Sequence, residues 1–435
     1  MNKNIIFIFE FVSGGGFSQY NIPTSIFCEG FGMLRSIIQD FKMLDFEIYT
    51  MLDYRICFLS NFIQADVINK VEKNDSYLKI FKDLMKKSNY IFIIAPETSK
   101  VLFNLTKVVK NHEKILLSTN LEGIKYGTSK IKTYRLFRKN KIPTPKTYKI
   151  PFKQKILDSN FIIKKFRELK RPILIKPEDG VGAELIYYFK EESQILNFLA
   201  NYDDNFDRKR NFILQEFVAG KDLSISLIGT YNPKTDPLIL SVNSQDINLK
   251  TLESEYLGGY TPIENYKEII KKLSLIINRI KHLKIEGYFG IDFIKNDNNF
   301  FSFIEINPRL TTSYIGLRNI INHNCAELIL NSKSNFFNYP NIKLQNYSHF
   351  TRIDFSYNKH ENMEILDNEL IPKLTQIIPE FVTPPISLNQ PKRYSSFIAT
   401  KANDLISSKN RVREIFEILQ SMNFNIIKPR QTKLW

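Results

Sequence analysis

Along the first 120 residues, apolar positions fall in short unbroken runs separated by segments in which they recur every three or four residues. That alternation is expected of a mostly parallel sheet covered by helices on both faces. Ile5 to Phe11 reads as a buried strand. Ile26, Gly30, Met33, Ile37 and Phe41 then share one side of a helix from about Ser25 to Phe41. Further strands are expected at Phe46 to Leu52, Tyr90 to Ala95 and Ile115 to Ser118, with helices at Tyr77 to Lys87 and Ser99 to Lys110. The result is four strands in a Rossmann-like order.

The texture changes after Thr119. A helix from Ser129 to Asn140 runs into Ile142-Pro-Thr-Pro145, where two prolines end it and start an extended segment. Strand patterns follow at Ile173 to Lys176, Glu184 to Phe189, Phe212 to Glu216, Ser224 to Thr230 and Leu238 to Val242, then a helix at Tyr266 to His282. Tyr288 to Ile294 and Phe300 to Ile306 close this middle region. The tail holds a strand at Phe350 to Tyr357, a turn at Val382-Thr-Pro-Pro385, a strand at Phe397 to Lys401 and a helix at Arg411 to Met422. Three domains are expected, over 1–120, 121–335 and 336–435.

Composition excludes more than it selects. With 43% hydrophobic and 24% charged residues the chain has globular proportions, and 435 residues suffice for two or three cores. Three cysteines, Cys28, Cys57 and Cys325, are odd in number and far apart, which argues against a disulfide framework or zinc ribbon and for a reducing, cytoplasmic setting. No run of eighteen apolar residues occurs, so no membrane partner is expected. The net charge of +16 fits an anionic partner, but the richness in Lys, Asn and Ile also fits A/T-rich coding. The Lys164-Lys165 and Lys170-Arg171 run lacks the interleaved aromatics of a single-strand groove, so nucleic acid is not expected. The five histidines are scattered, without the spacing of a zinc site or the partners of a Ser-His-Asp triad.

The most informative stretch is Glu286 to Ile294 with Phe303 to Arg309, two alternating strands joined by a Lys295 to Asn299 hairpin loop. Asp292 then lies beside Glu305 and Asn307, which are two apart and share a face of the pleat. Two carboxylates and an amide oxygen form a hard-oxygen set suited to magnesium or manganese. Arg309, two residues further, is expected to add a planar cation to that face for a phosphoryl group. Upstream, Lys176 ends a strand before a glycine loop with Gly180 and Gly182, whose amides can lie over phosphates. Gln215, Glu216, Phe217 and Val218 end a strand at Gly220, leaving backbone groups able to read an adenine edge. Asp222 follows within reach of a ribose.

As an ordered set, Lys130, Lys176 with Gly180 and Gly182, Gln215 to Val218, Asp292, and Glu305 to Arg309 resembles the ATP-grasp superfamily over about Thr128 to Arg318. The resemblance implies an α+β ATP-grasp fold behind a Rossmann-like domain, with a small C-terminal domain. It implies ATP held with Lys130 and Lys176 on its phosphates, Gln215 to Val218 on adenine, Asp222 on ribose, and magnesium on Asp292, Glu305 and Asn307. Lys176 and Arg309 would be catalytic. Phe9 to Gly16, Glu29-Gly30, Ile94 to Glu97, Asn243 to Gln245 and Tyr256 to Pro262 further resemble the tyramine–glutamate ligases of methanofuran biosynthesis and their ATP-grasp relatives.

Glu10 and Glu97 sit near the C-terminal ends of two parallel strands, where open α/β sheets bind ligands, and two carboxylates there suit a substrate ammonium. The resulting expectation is a carboxylate–amine ligase acting through an acyl phosphate on a small-molecule acid and amine, with homo-oligomerisation left open. Bicarbonate activation of the carboxylase or carbamoyl-phosphate type within the same fold and a non-catalytic basic nucleic-acid-binding protein are the alternatives.

Overall fold

The computed structural model describes residues 4–153, 156–180, 185–201, 210–232, 235–251, 254–334, 338–357, 369–388 and 390–429. Strands β1 (Ile5–Glu10), β2 (Glu47–Asp53), β3 (Val67–Val71), β4 (Tyr90–Ile94) and β5 (Ile115–Leu116) form a parallel sheet in the order β3-β2-β1-β4-β5. The expected four strands are therefore five. The additional one, β3, sits at the sheet edge with only Val71 fully buried, so it lacks the continuous apolar run of a strand covered on both faces. The Thr24–Lys42 helix packs on this sheet through Phe27, Phe31, Leu34, Ile38 and Phe41, each wholly buried.

Next come β6 (Thr147–Lys149), a short hairpin of β7 (Phe152–Lys153) and β8 (Ile156–Leu157), β9 (Ile173–Pro177), β10 (Tyr187–Phe189) and β11 (Phe212–Glu216). Four of them make an antiparallel sheet, β10-β9-β11-β6. The chain crosses at Gly220 into β12 (Lys221–Gly229), β13 (Leu238–Ser244), a hairpin of β14 (Ile247–Asn248) and β15 (Glu255–Tyr256), β16 (Gly258–Thr261), β17 (Gly287–Lys295) and β18 (Phe301–Asn307). A second antiparallel sheet runs β13-β12-β17-β18. Its two faces differ sharply. Leu223, Ile225, Leu227, Phe289, Ile291 and Ile306 pack on the Tyr266–Ile277 helix, whereas Asp222, Ser224, Ser226, Asp292, Glu305 and Asn307 lie on the other side in matching register.

The C-terminal sheet joins β16 to β19 (Ser348–Tyr357), β20 (Phe381–Ile386), β21 (Arg393–Ala399) and β22 (Phe424–Lys428), covered by the Leu405–Ser421 helix. The Val382 to Pro385 stretch is part of strand β20, not the expected turn. Its prolines are tolerated because β20 is an edge strand with an interrupted ladder. The residues from Leu310 to Ile329 belong to the same apolar core as the parallel sheet, so that core reaches from β1 to the third sheet at Phe350 and Phe397.

His349 on β19 is 2% exposed, and its Nδ1 has no hydrogen-bond partner. Burial, with Lys409 nearby, pushes its pKa down to about 4, and Asp246 lies 3.9 Å from Nε2. Because the unfolded chain takes up this proton below about 6.5, His349 leaves stability intact above that pH and removes it as pH falls towards 4. The loss amounts to about 2 kcal/mol at pH 5. Urea unfolding at pH 7.5 and pH 5 is expected to show a correspondingly smaller difference for His349→Asn. Equal differences in the two proteins would refute this.

Candidate active site

The polar face of the β13-β12-β17-β18 sheet is the floor of a cleft. Asp292 pairs directly with Glu305 across β17 and β18, and Asn307 with Gly290. A bulge beside Asp292 leaves Ile304 without a partner and turns it into the cleft. Asp292 accepts hydrogen bonds from Gln245 Nε2 at 3.1 Å and Asn307 Nδ2 at 3.0 Å. Glu305 holds Lys130 Nζ at 2.8 Å, and that ammonium also donates to the Gly180 carbonyl at 2.7 Å. Further along this face, Asn243 donates to Ser226 Oγ at 3.0 Å and Tyr288 donates to the same oxygen at 2.9 Å, a buried network that fixes the strands' register.

Burial and the neighbouring Glu305 push the Asp292 carboxyl up to about 7. Burial also works to raise Glu305, but Lys130 and Lys176 outweigh it and hold this acid low. Two half-buried carboxylates in register, with an amide beside them, have the donor chemistry of a magnesium site, and a divalent cation would relieve their mutual repulsion. Among the described residues no group of three or more His, Cys, Asp or Glu is placed to hold a metal ion.

The roof comes from the β10-β9-β11-β6 sheet. Lys176 on β9 is 4% exposed, and burial pushes its ammonium down to about 8. Gln215 is fixed by donating to Thr147 Oγ1 at 2.9 Å, and Glu216 pairs with Arg171 at 3.1 Å. The Phe217 ring packs on Tyr188 with centroids 4.8 Å apart. Lys176, Gln215 to Val218, Asp222, Asp292, Glu305, Asn307 and Arg309 all line one cleft. Burial pushes Asp222 up to about 6. Gly180 is placed by its carbonyl at Lys130, whereas Gly182 lies outside the described residues.

The third wall is the C-terminal edge of the parallel sheet. Glu10 ends β1, is 3% exposed, and accepts the N–H groups of Val12 at 3.0 Å and Ser13 at 2.7 Å. Its carboxyl lies flat against Gly30, where a Cβ would sit 2.7 Å away, so only glycine admits it. Arg309 lines the same cleft, but not from the strand itself. It lies beyond β18, after Pro308, and its Nε is committed to Glu97 at 3.1 Å. Glu97 is thus paired with Arg309.

The carboxylate facing the cleft beside Glu10 is Glu29, which accepts from Thr312 Oγ1 at 2.8 Å. Burial raises the pKa of both Glu10 and Glu29, and neither has a cation within ion-pair distance among the described residues. Glu29 was open to detection in the sequence, as an acid set between Cys28 and Gly30 on a buried helix face. Ile26, Met33 and Tyr256 give this end an apolar wall. No histidine or cysteine lines the cleft among the described residues, and burial raises the Cys28 and Cys325 thiols.

A pre ATP-grasp 3 domain is matched over residues 46–124 and an ATP-grasp domain over residues 128–313. The chain is 30% identical over 336 residues to tyramine–L-glutamate ligase of Methanocaldococcus jannaschii, spanning 76% of this chain and 90% of that one. Among solved structures, N5-carboxyaminoimidazole synthetase from Staphylococcus aureus complexed with ADP aligns with a TM-score of 0.64 at 14% identity, over 96% of this chain and 98% of that one. L-amino acid ligase from Bacillus licheniformis aligns at 0.63 and 12%, over 99% of each chain. The chain belongs to the ATP-grasp family. Within it the chain stands with the carboxylate–amine ligases, enzymes that form C–N bonds. No helix among the described residues is long and apolar enough to cross a membrane.

Proposed function

We propose that this protein is an ATP- and magnesium-dependent ligase that joins a glutamate-type acid to an aromatic amine such as tyramine. The observation that carries the reading is one cleft with opposite electrostatics at its two ends. Lys176 and Lys130 face Asp292 and Glu305 at one end, and at the other two carboxylates that form no ion pair among the described residues, Glu10 and Glu29, face an apolar wall, with Arg309 acting on both and Arg352 on Glu29 from beyond ion-pair distance. The first end suits a metal-bound polyphosphate, the second an ammonium group on an apolar body.

In this reading Gln215 to Val218 receive adenine, Asp222 the ribose, and Lys130 and Lys176 the phosphates. Asp292, Glu305 and Asn307 would hold magnesium, which when bound supplies charge neutralisation to the polyphosphate. The acid's carboxylate oxygen attacks the γ-phosphorus, the bond to the β-phosphate oxygen breaks, and ADP leaves an acyl phosphate. Arg309, fixed by Glu97, stabilises charge on the transferring group. Glu29 takes a proton from the ammonium. The freed amine then attacks the acyl carbon, and phosphate leaves with the electron pair of the C–O bond.

Product analysis tests this directly. Protein, MgATP, glutamate and tyramine are expected to give ADP, phosphate and one amide. Hydroxylamine, largely uncharged near neutral pH, needs neither an ammonium subsite nor a base, and is expected to trap the acyl phosphate as a hydroxamate. Glu29→Gln should keep hydroxamate formation within about threefold while losing amide formation by about 10²-fold, the usual scale of general-base removal. Absence of hydroxamate with the intact protein would defeat the ligase reading, and ADP release on bicarbonate alone would replace it with carboxylate activation of another kind.

A further inference from the structure

A second cavity, of about 300 Å³, opens on the far side of the Thr24–Lys42 helix, between that helix, the chain around Ile315 to Asn319, and strands β20 and β21. Three cations line it: Arg35, Arg318 and Lys401. The acids around them do not balance the charge. Asp40 is taken by Arg318, with bonds of 2.6 and 3.0 Å, and by the Tyr314 hydroxyl at 2.5 Å. Glu380 is taken by Arg411 at 2.6 and 3.2 Å.

Arg35 has no carboxylate within ion-pair distance among the described residues. Its Nη1 donates to the carbonyls of Phe381 and Val382 at 2.8 and 2.9 Å, and its buried Nε has no hydrogen-bond partner. Burial and the nearby Arg318 both work against its charge. A part-buried guanidinium facing a second guanidinium with no anion of its own is an arrangement that costs stability unless a ligand anion completes it.

We propose that this cavity is a binding site for a small doubly charged oxyanion, held by Arg35 and Arg318 with Lys401 at its mouth. The planar fork of a guanidinium matches phosphate and carboxylate oxygens alike, so a phosphate monoester and a short dicarboxylate share the required chemistry. The site shares its walls with the cleft. Arg35 stands six residues after Glu29 on one helix, so the two side chains are about 9 Å apart along the axis and about 120° apart around it. Thr312, which binds Glu29, opens the short Ser313–Leu317 helix that Arg318 closes. An anion drawing Arg35 and Arg318 together therefore acts on the two segments that carry the Glu29–Thr312 bond.

The test uses the full chain with saturating MgADP, so that the nucleotide cleft is filled, and reads the thermal midpoint while inorganic phosphate or succinate is added. A saturable rise is expected with at least one of them, and which one succeeds distinguishes tetrahedral from planar recognition. Arg35→Gln and Lys401→Gln are expected to weaken the apparent affinity at least tenfold and to leave MgADP binding unchanged, which also reports that they are folded. Lys176→Gln, in the cleft, should keep the anion response. Loss of the response in Lys176→Gln with retention in Lys401→Gln would assign it to the cleft and overturn the proposal. So would no response in the intact protein, or a response that depends on protein concentration and so reports contact between two copies.

Discussion

Glu305→Gln is expected to lower ADP release at least 10³-fold, equivalent to about 4 kcal/mol of transition-state stabilisation, with the fold retained. The substitution is isosteric, Lys130 keeps its bond to the Gly180 carbonyl, and the strand pairing of Asp292 with position 305 is a backbone matter. What disappears is one of two half-buried carboxylates on the cleft floor. Asp292, freed of its like-charged neighbour, would then hold a proton less readily. A single carboxylate cannot match the charge of a divalent ion bound to polyphosphate, so the apparent magnesium requirement should rise as turnover falls. Steady-state ADP release against magnesium concentration, beside the thermal midpoint, provides the check. Turnover within tenfold of the parent would remove Glu305 from the chemistry.

Arg309→Gln is expected to do two separable kinds of damage. Glu97 is 5% exposed and Arg309 14%, so losing the guanidinium leaves a buried carboxylate without its cation, at a cost of about 3–5 kcal/mol. Adding Glu97→Gln removes that stranded charge. The double variant should therefore recover most of the stability while turnover stays about 10² to 10³ below the parent, the scale of losing one fixed donor to a developing charge. Urea unfolding and ADP release measured on the parent, both single variants and the double variant close the cycle. If turnover returned together with stability, Arg309 would be a structural residue only.

How far the sequence led is best judged residue by residue. Asp292, Glu305 and Asn307 were legible because strand periodicity alone places them on one face, and a hairpin brings the two strands together. The Gln215 to Val218 segment is legible from the apolar run that carries it and the glycine that closes it, although β11 itself stops at Glu216. Edge strands were less so. β3 carries Asn69 and Lys70 among its apolar residues, and β20 carries Pro384 and Pro385, so each violates the pattern that identifies an interior strand.

The partner of Arg309 was out of reach for a different reason. Nothing local to Pro308 or Leu310 points to a carboxylate 212 positions earlier. Spacing by twos extended the β18 face to Arg309, but the strand ends at Asn307, and beyond that residue the pleat no longer sets the direction of the side chains. Glu29 enters from the sequence only within the Glu29-Gly30 resemblance, with no role at the site, for the opposite reason. The helix shows an apolar stripe, and the two acids set within it, Glu29 and Asp40, are the signal.

The Glu97–Arg309 pair also sets a timetable. At a synthesis rate of ~5–20 residues per second, a ribosome takes about 10–40 s to travel the 212 positions between the two residues. During that interval all five strands of the parallel sheet have emerged, but Glu97 has no cation to join, and the apolar surface that later covers Phe31 and Ile38 is still unmade. The nascent N-terminal third therefore waits in the cell as an incomplete body with one exposed face, and it becomes whole only when the segment after β18 arrives to close it.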